Sequence, residues 1–170
     1  LKALGWRVIG HGGAVRVRPD SPWNVPEPEL TLVINRHEEI VGYTAGNDVS
    51  SRSIEGANPL YLPQAKVYAG SCALGPGIQL AEPGAMTDLP IRLEIEREET
   101  GIFDEALSTS QMKRDLKTLV SYLYRELAFP YGVYLMTGTG IVPPDDFTLQ
   151  AGDRVRIRVG DLVLENGVAS

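Results

Sequence analysis

One predicted β-hairpin constrains the fold of this chain more than any other feature. Residues 30–35 and 40–45 are rich in β-branched and aromatic side chains, and the polar stretch 36–39 separates them. A turn centred on that stretch places Asn35 opposite Ile40 and fixes the register of the two strands. Every residue of the hairpin is thereby assigned to one face or the other, because a slip of one residue reverses the faces.

The same register brings three carboxylates together. Glu27 lies opposite Asp48, and Glu29 follows two residues later on the same face as Glu27, where cross-strand neighbours are about 5 Å apart. Like charges this close require protons or a cation. An all-oxygen set without Cys or His is typical of a site for Mg²⁺, Mn²⁺ or Ca²⁺. The residues alone leave open a simpler interpretation, exposed strand carboxylates next to a turn aspartate.

A second pair of glutamates has the same spacing and serves as a comparison. Glu94 and Glu96 alternate with Leu93 and Ile95, which is the pattern of a half-buried strand with a solvated charged face. No hairpin obvious from the sequence brings a third carboxylate to this pair. We therefore interpret it as structural.

Composition limits the classes of function. The 170 residues suffice for one domain, and 18 Gly and 12 Pro indicate many turns. A net charge of −6 argues against a nucleic-acid partner, and no apolar run approaches the about 20 residues that span a bilayer. The single Cys72, in a run of small residues, predicts a buried inert thiol and a reducing cytoplasmic location. Because the chain starts at Leu1, we expect residues 1–170 to be a single domain that lacks an upstream part.

Local patterns predict a β-rich α+β fold. Residues 6–18 are predicted to form a hairpin around a Gly-rich turn. One main helix is predicted between a cap at Ser108 or Ser110 and a stop at Pro130. Further strands are expected at residues 74–80, 91–97, 133–137, 154–159 and 161–165, with a short one near 102–103. The sum is a rolled sheet or open barrel.

Several motifs resemble those of a known family. The run 42–52 has the form Gly-Tyr-x-x-x-Asn-Asp-Val-Ser-x-Arg, which is similar to a signature of the fumarylacetoacetate hydrolase family that follows an upstream Glu-x-Glu. Lys66, the Leu-Gly-Pro run 74–76 and the stretch 136–140 also match the family's pattern. These motifs occur in the family's order over residues 26–166, which is nearly the whole chain.

The resemblance implies a fold and a set of roles. It implies a mixed β-sandwich roll with one main helix and, commonly, homo-oligomers. It implies that Glu27, Glu29 and Asp48 bind a divalent metal, Mg²⁺ first, with Mn²⁺ or Ca²⁺ as alternatives. Lys66 corresponds to the active-site lysine, and Thr139 to the residue that binds the substrate carboxylate.

Other implied roles have structural alternatives. Arg52 matches a motif position and either contacts substrate or secures the loop through a salt bridge. Tyr61 and Gln64 either line the pocket or order the Pro-rich segment. Without the resemblance, we would interpret Lys66 as a surface lysine and Thr139 as a turn residue between two glycines.

Two segments favour one branch of the family. Residues 58–70 and 138–144 resemble the dehydratases of 2-keto-3-deoxy sugar acids such as the arabinonate. This implies a lyase in sugar-acid catabolism that binds a 2-keto acid and stabilises its enolate on the metal. Lys66, with a pKa expected to be depressed, would transfer the C3 proton, and loss of the C4 hydroxyl would convert a 2-keto-3-deoxypentonate toward 2,5-dioxopentanoate.

Two alternatives remain at this point. A hydrolase of carbon–carbon bonds in fumarylacetoacetate or an acylpyruvate needs an activated water, usually through a histidine. Only His11 and His37 are available, and both are predicted in turns away from the acidic residues. The other alternative is a non-catalytic domain that holds a metal but lacks a working acid or base.

Overall fold

The computed structural model describes residues 1–169, which form eleven strands and three α-helices. The strands are β1 Ala14–Arg16, β2 Asn24–Val25, β3 Pro28–Ile34, β4 Ile40–Asp48, β5 Ser50–Ser51, β6 Cys72–Leu80, β7 Pro90–Arg97, β8 Thr100–Ser108, β9 Val133–Met136, β10 Arg154–Val159 and β11 Leu162–Ala169. The helices are α1 Arg52–Ala57, α2 Leu62–Lys66 and α3 Leu116–Leu123. The expected β-rich α+β fold is confirmed, and α3 is its longest helix.

Two sheets pack against each other around a single core. One has the order β1-β11-β10-β7-β8, the other β6-β4-β3-β9, and β2 pairs with β5 in a small separate ladder. Strands of the two sheets contact each other, β11 with β6 and β10 with β4. Alternate side chains of β7 and β10, such as Leu93 and Ile157, are fully buried between them. Apolar burial of this kind is the main stabilising term of the fold.

The register of the β3–β4 hairpin is confirmed over most of its length. Pro28 pairs with Asn47 and Val33 with Gly42, as the predicted register requires. The prediction for the turn was wrong, since a bulge makes Ile34 rather than Asn35 the partner of Ile40. Asn35 instead accepts hydrogen bonds on its side chain from the backbone inside the turn. The bulge lies at the turn end of the hairpin, so the other end keeps its register.

The predicted hairpin over residues 6–18 is wrong. Residues Gly5–Arg7 form a 3₁₀ turn, and Ile9 pairs in parallel with Ala73 of β6. Strand β1 pairs in parallel with β11 at the other end of the chain. The Gly-rich turn thus joins two different sheets instead of closing a local ladder, which local propensity cannot indicate.

The helical prediction was right in type but too long. Helix α3 starts at the cap Asp115, whose carboxylate accepts a hydrogen bond from the Thr118 N–H at 2.8 Å. Ser108 caps a separate 3₁₀ turn over Thr109–Gln111. Strand β8 occupies nine residues where only a short strand was expected. None of the helices in residues 1–169 is long and apolar enough to cross a membrane.

The core predicts a stability difference between two leucines. Replacing the fully buried Leu93 with Ala should lower the free energy of unfolding by about 2–5 kcal/mol, because the cavity cannot be refilled. Leu80→Ala is the matched control at a side chain that is 72% exposed, with an expected change within about 0.5 kcal/mol. Denaturant unfolding measures both, and equal losses would contradict the described core.

Candidate metal centre

The hairpin register places the three predicted carboxylates together. One carboxylate oxygen from each of Glu27, Glu29 and Asp48 lies within 4.8 Å of the other two. All three residues are buried, with 6%, 3% and 8% of their surface exposed. The backbone continues the ladder here, since the Asp48 N–H donates to the Glu27 carbonyl at 3.0 Å. These three residues are called the acidic trio below.

Two glycines shape the backbone around the acidic trio. A Cβ on Gly46 would lie 2.3 Å from Thr31 Oγ1 and 2.9 Å from the Met136 methyl, so only glycine allows this close packing beside Glu29. Gly138 has a φ of +92°, which a residue with a side chain rarely adopts. This turn directs its N–H to Glu29 Oε2 at 2.6 Å.

Lys66 binds the acidic trio directly. Its Nζ donates to Glu27 Oε2 at 2.8 Å, to Asp48 Oδ2 at 3.3 Å and to Ser50 Oγ at 2.6 Å. Helix α2 ends at Lys66. Pro59 lies in the turn before α2 and Pro63 is its second residue, and both restrict the backbone that leads to Lys66. The side chain is 19% exposed, so Lys66 is not a solvated surface lysine.

A second lysine, which no sequence pattern predicted, reaches the site. Lys2 Nζ forms an ion pair with Asp48 Oδ1 and donates to the Val49 carbonyl at 2.9 Å and to the Lys66 carbonyl. Its side chain is 14% exposed. Asp48 therefore has a lysine on each of its two oxygens. No local spacing pattern connects Lys2 with Asp48, because the two are far apart in the sequence.

Arg52 approaches the Glu27 carboxylate oxygen that Lys66 does not bind. Its guanidinium is 3.7 Å from Glu27 Oε1 and 3.0 Å from Glu55 Oε2. It also lies over the Trp23 ring at 5.5 Å. Of the two roles considered for Arg52, the salt bridge is the one described by these contacts. Substrate contact stays a prediction.

Burial of like charges raises the pKa of the glutamates. The pKa of Glu29 rises to about 8, first because of burial and second because of the neighbouring Asp48, while the Gly138 N–H offsets part of the rise. The pKa of Glu27 is also raised by burial, and Lys66 opposes this rise. Such a site favours uptake of a proton or a cation.

The expected depression of the Lys66 pKa is not found. Burial lowers its pKa, but Asp48 and Glu27 raise it more, so the net direction is upward. Lys2 has the opposite balance: burial lowers its pKa by more than Asp48 raises it. The two lysines therefore differ although they share Asp48.

Among the described residues, the remaining predicted substrate residues form no hydrogen bond or ion pair with the acidic trio. The Thr139 hydroxyl accepts a hydrogen bond from the Ile141 N–H and donates to the Ile141 carbonyl, within its own turn. Tyr61 is 46% exposed, and Gln64 is exposed and binds Arg18 through its backbone carbonyl. Their roles toward substrate stay predictions.

The second glutamate pair behaves as the structural interpretation requires. Glu96 is 3.4 Å from Arg154, and Glu94 is 3.8 Å from Arg92. The expectation of no third carboxylate was wrong, because β8 brings Asp104 opposite Glu94. Arg92 binds that aspartate through two hydrogen bonds, so arginines neutralise this exposed face.

The thiol and the imidazoles take no part in the cluster. Cys72 is 4% exposed, and burial raises its pKa to about 11, which makes the thiol unreactive as expected. Both histidines are exposed. His37 lies in the turn at the far end of the hairpin, and His11 Nδ1 accepts a hydrogen bond from the Glu165 N–H at 3.1 Å.

Two cavities lie near the β3–β4 sheet. The larger, of about 1040 Å³, lies at the turn end of the hairpin between Ile40, Leu80 and Val120, and none of the predicted site residues lines it. The smaller, of about 320 Å³, is bordered by Gly138 and Thr139. No member of the acidic trio lines the smaller cavity, although Gly138 of its wall donates to Glu29.

Comparison with known proteins relates this site to dehydratases. The chain is 48% identical over 172 residues to a Haloferax volcanii protein named "Probable 2-keto-3-deoxyxylonate dehydratase", covering 100% of this chain and 59% of the relative. It is 44% identical over 163 residues to 2-dehydro-3-deoxy-D-arabinonate dehydratase of Saccharolobus solfataricus, covering 95% of this chain and 55% of that relative. The chain thus spans little more than half the length of these relatives.

Fold comparison agrees with the sequence comparison. The structure of 2-keto-3-deoxy-D-arabinonate dehydratase complexed with magnesium and 2,5-dioxopentanoate matches with a TM-score of 0.91 and 42% identity, over 95% of this chain and 58% of that one. The family described as fumarylacetoacetate (FAA) hydrolase C-terminal matches residues 6–169. The chain therefore belongs to the fumarylacetoacetate hydrolase C-terminal family.

Proposed function

We propose that this chain is the metal-binding catalytic domain of an enzyme that dehydrates a 2-keto-3-deoxy sugar acid. The observation that carries the proposal is the buried acidic trio with Lys66 hydrogen-bonded to two of its members. The similarity to dehydratases of the arabinonate and xylonate series supports the choice of reaction. The substrate would be a 2-keto-3-deoxypentonate and the product 2,5-dioxopentanoate.

The donor set fits a hard divalent ion such as Mg²⁺. Glu27, Glu29 and Asp48 offer only carboxylate oxygens, the ligands that such ions prefer. Burial, and then the neighbouring Asp48, raise the pKa of Glu29, so a bound cation would stabilise its charged form. A related structure contains magnesium. When bound, the ion supplies Lewis acidity to the oxygens of a 2-keto acid and positive charge beside Lys66.

The charges around the site suit an anionic substrate. Seven ionisable side chains are joined by the contacts described above: Glu27, Glu29, Asp48, Glu55, Lys2, Lys66 and Arg52. Fully ionised, they have one negative charge in excess. A divalent ion reverses this to one positive charge, which matches the single carboxylate of a 2-keto acid.

Lys66 is the residue that we assign to proton transfer at C3. Its Nζ lies against the carboxylates that would hold the ion, and the Ser50 hydroxyl keeps it in place at 2.6 Å. Without the ion the pKa of Lys66 is raised, so Lys66 is charged; a divalent ion held by the same carboxylates would lower that pKa and favour the neutral amine. The neutral amine would then take the C3 proton while the C3–H electron pair forms the enolate. The C4 hydroxyl then leaves as water with the proton that Lys66 took up, which leaves a C3=C4 double bond. Loss of a C5 proton, return of a proton to C3 and ketonisation of the resulting C4=C5 enol would give 2,5-dioxopentanoate. Lys2 instead holds Asp48 from the far side.

The proposal predicts a metal-dependent reaction of the full-length protein. With 2-keto-3-deoxypentonate and Mg²⁺, we expect 2,5-dioxopentanoate to form, and a chelator should stop the reaction. Lys66→Ala should lower kcat by about 10²–10⁴, because general acid–base catalysis is lost, without weakening Mg²⁺ binding. Chromatography of samples quenched at successive times measures both the product and kcat.

Lys117→Ala serves as the control, since Lys117 is an exposed lysine on α3 that lines the distant larger cavity. Its kcat should equal that of the wild type. Release of pyruvate from an acylpyruvate, without dehydration of the sugar acid, would assign the alternative hydrolase reaction. Full activity of Lys66→Ala would refute the assigned mechanism.

The raised pKa of Glu29 predicts that metal binding depends on pH. Below about pH 8 the carboxyl holds a proton that the ion must displace, so Mg²⁺ affinity should rise with pH and level off above about 8. Calorimetry in buffers of different ionisation enthalpy should detect release of this proton. Glu29→Gln should remove the release and weaken binding by about 100-fold or more, whereas Glu94→Gln should change neither. A flat affinity between pH 6 and 9 would contradict this account of Glu29.

A further inference from the structure

Lys2 uses its hydrogen-bonding capacity within the protein. Its Nζ pairs with Asp48 Oδ1 and donates to the backbone carbonyls of Val49, at 2.9 Å, and of Lys66. An ammonium group has three N–H donors, so these three acceptors match all of them. The centroid of the Tyr68 ring lies 5.9 Å from the same nitrogen, and the Lys2 side chain is 14% exposed. Lys2 is therefore a fixed partner of Asp48 rather than a free donor for a substrate.

The two carboxylate oxygens of Asp48 have different surroundings. Oδ2 is the oxygen on the Glu27 side, since Lys66 Nζ lies 3.3 Å from Asp48 Oδ2 and 2.8 Å from Glu27 Oε2. Oδ1 pairs with Lys2 and is also 3.5 Å from the Ser50 hydroxyl. One oxygen of Asp48 is thus shared with the rest of the acidic trio through Lys66, while Lys2 holds the other.

The number of oxygens that an aspartate offers matters for the choice of ion. Ca²⁺ binds about six to eight oxygens at about 2.3–2.6 Å and accepts both oxygens of one carboxylate. Mg²⁺ requires a near-octahedral set at about 2.0–2.1 Å and keeps several waters. An aspartate that is restricted to one oxygen therefore removes a ligand from Ca²⁺ but none that Mg²⁺ needs.

From these contacts we propose that Lys2 is a positioning residue that limits Asp48 to one metal-binding oxygen and thereby favours Mg²⁺ over Ca²⁺. The inference rests on the proposed function, because it takes the acidic trio as the metal centre. Lys2 acts on the ion through Asp48 alone. The backbone carbonyls of Val49 and Lys66 keep its ammonium group beside Oδ1.

The ratio of two dissociation constants tests this role without turnover. Calorimetry on the metal-free, full-length protein gives the dissociation constants of Mg²⁺ and Ca²⁺ for the wild type and for Lys2→Met, which removes the ammonium group. Loss of a positive charge beside Asp48 should strengthen the binding of both divalent ions alike, and that part cancels in the ratio. Release of Oδ1 should strengthen Ca²⁺ binding further. We therefore expect the ratio of the Ca²⁺ to the Mg²⁺ dissociation constant to fall about tenfold in Lys2→Met.

Lys117→Met is the matched control, because it removes an exposed lysine that borders the larger cavity. Its ratio should stay within about twofold of the wild-type value, and thermal unfolding verifies that both variants fold. The wild-type crystal structure with Mg²⁺ is an independent measurement that decides the matter if Lys2→Met does not fold. We expect one Asp48 oxygen at about 2.1 Å from Mg²⁺, with Lys2 still paired to the other oxygen.

Three results would overturn the role of Lys2: an unchanged ratio in Lys2→Met, an equal fall in Lys117→Met, or both Asp48 oxygens bound to Mg²⁺ in the wild type. A wild type that binds neither ion would instead refute the metal centre on which the proposed function depends.

Discussion

The burial of three carboxylates at the end of the β3–β4 hairpin is the interaction on which the rest of the site depends. Pairing of β3 with β4 brings these three residues to the same end of the hairpin, where one carboxylate oxygen from each of Glu27, Glu29 and Asp48 lies within 4.8 Å of the other two. Burying like charges costs free energy that only opposite charge or protons can offset. The surrounding contacts can be understood as responses to this cost.

Each member of the acidic trio has a different compensation. Asp48 lies between two lysines, and Glu27 lies between Lys66 and Arg52. Within residues 1–169, the Gly138 N–H is the one hydrogen-bond donor to the Glu29 carboxylate. Glu29 is accordingly the residue whose pKa rises to about 8. Gly138, which donates to Glu29, also borders the smaller cavity.

The acidic trio could be predicted from the sequence because its position depends only on the register of one local hairpin. Two β-rich runs and one polar turn suffice to set the register, and an error at Ile40 did not propagate past the bulge. The family motifs then identified Lys66 and Arg52. Glu94 and Glu96 show why spacing alone is insufficient, since arginines from β7 and β10 neutralise that face. The neighbouring strands therefore distinguish the two glutamate pairs: arginines lie beside Glu94 and Glu96, whereas Asp48 lies beside Glu27 and Glu29.

The features that were missed depend on contacts between distant segments. Lys2 reaches Asp48 because the N-terminal segment runs beside β6, where Ile9 pairs with Ala73, and no local pattern encodes this path. The same pairing explains why the first predicted hairpin failed. The Gly138 contact requires β9 to lie beside β3, which again only the folded sheet provides.

A crystal soaked with Mn²⁺ would test the central claim most directly, because anomalous scattering locates this ion without reference to activity. The account predicts one strong peak within coordination distance, about 2–2.5 Å, of oxygens from Glu27, Glu29 and Asp48. It also predicts no comparable peak at Glu94, Glu96 and Asp104, where arginines supply the positive charge. Density at that second acidic group, or none at the trio, would contradict the account.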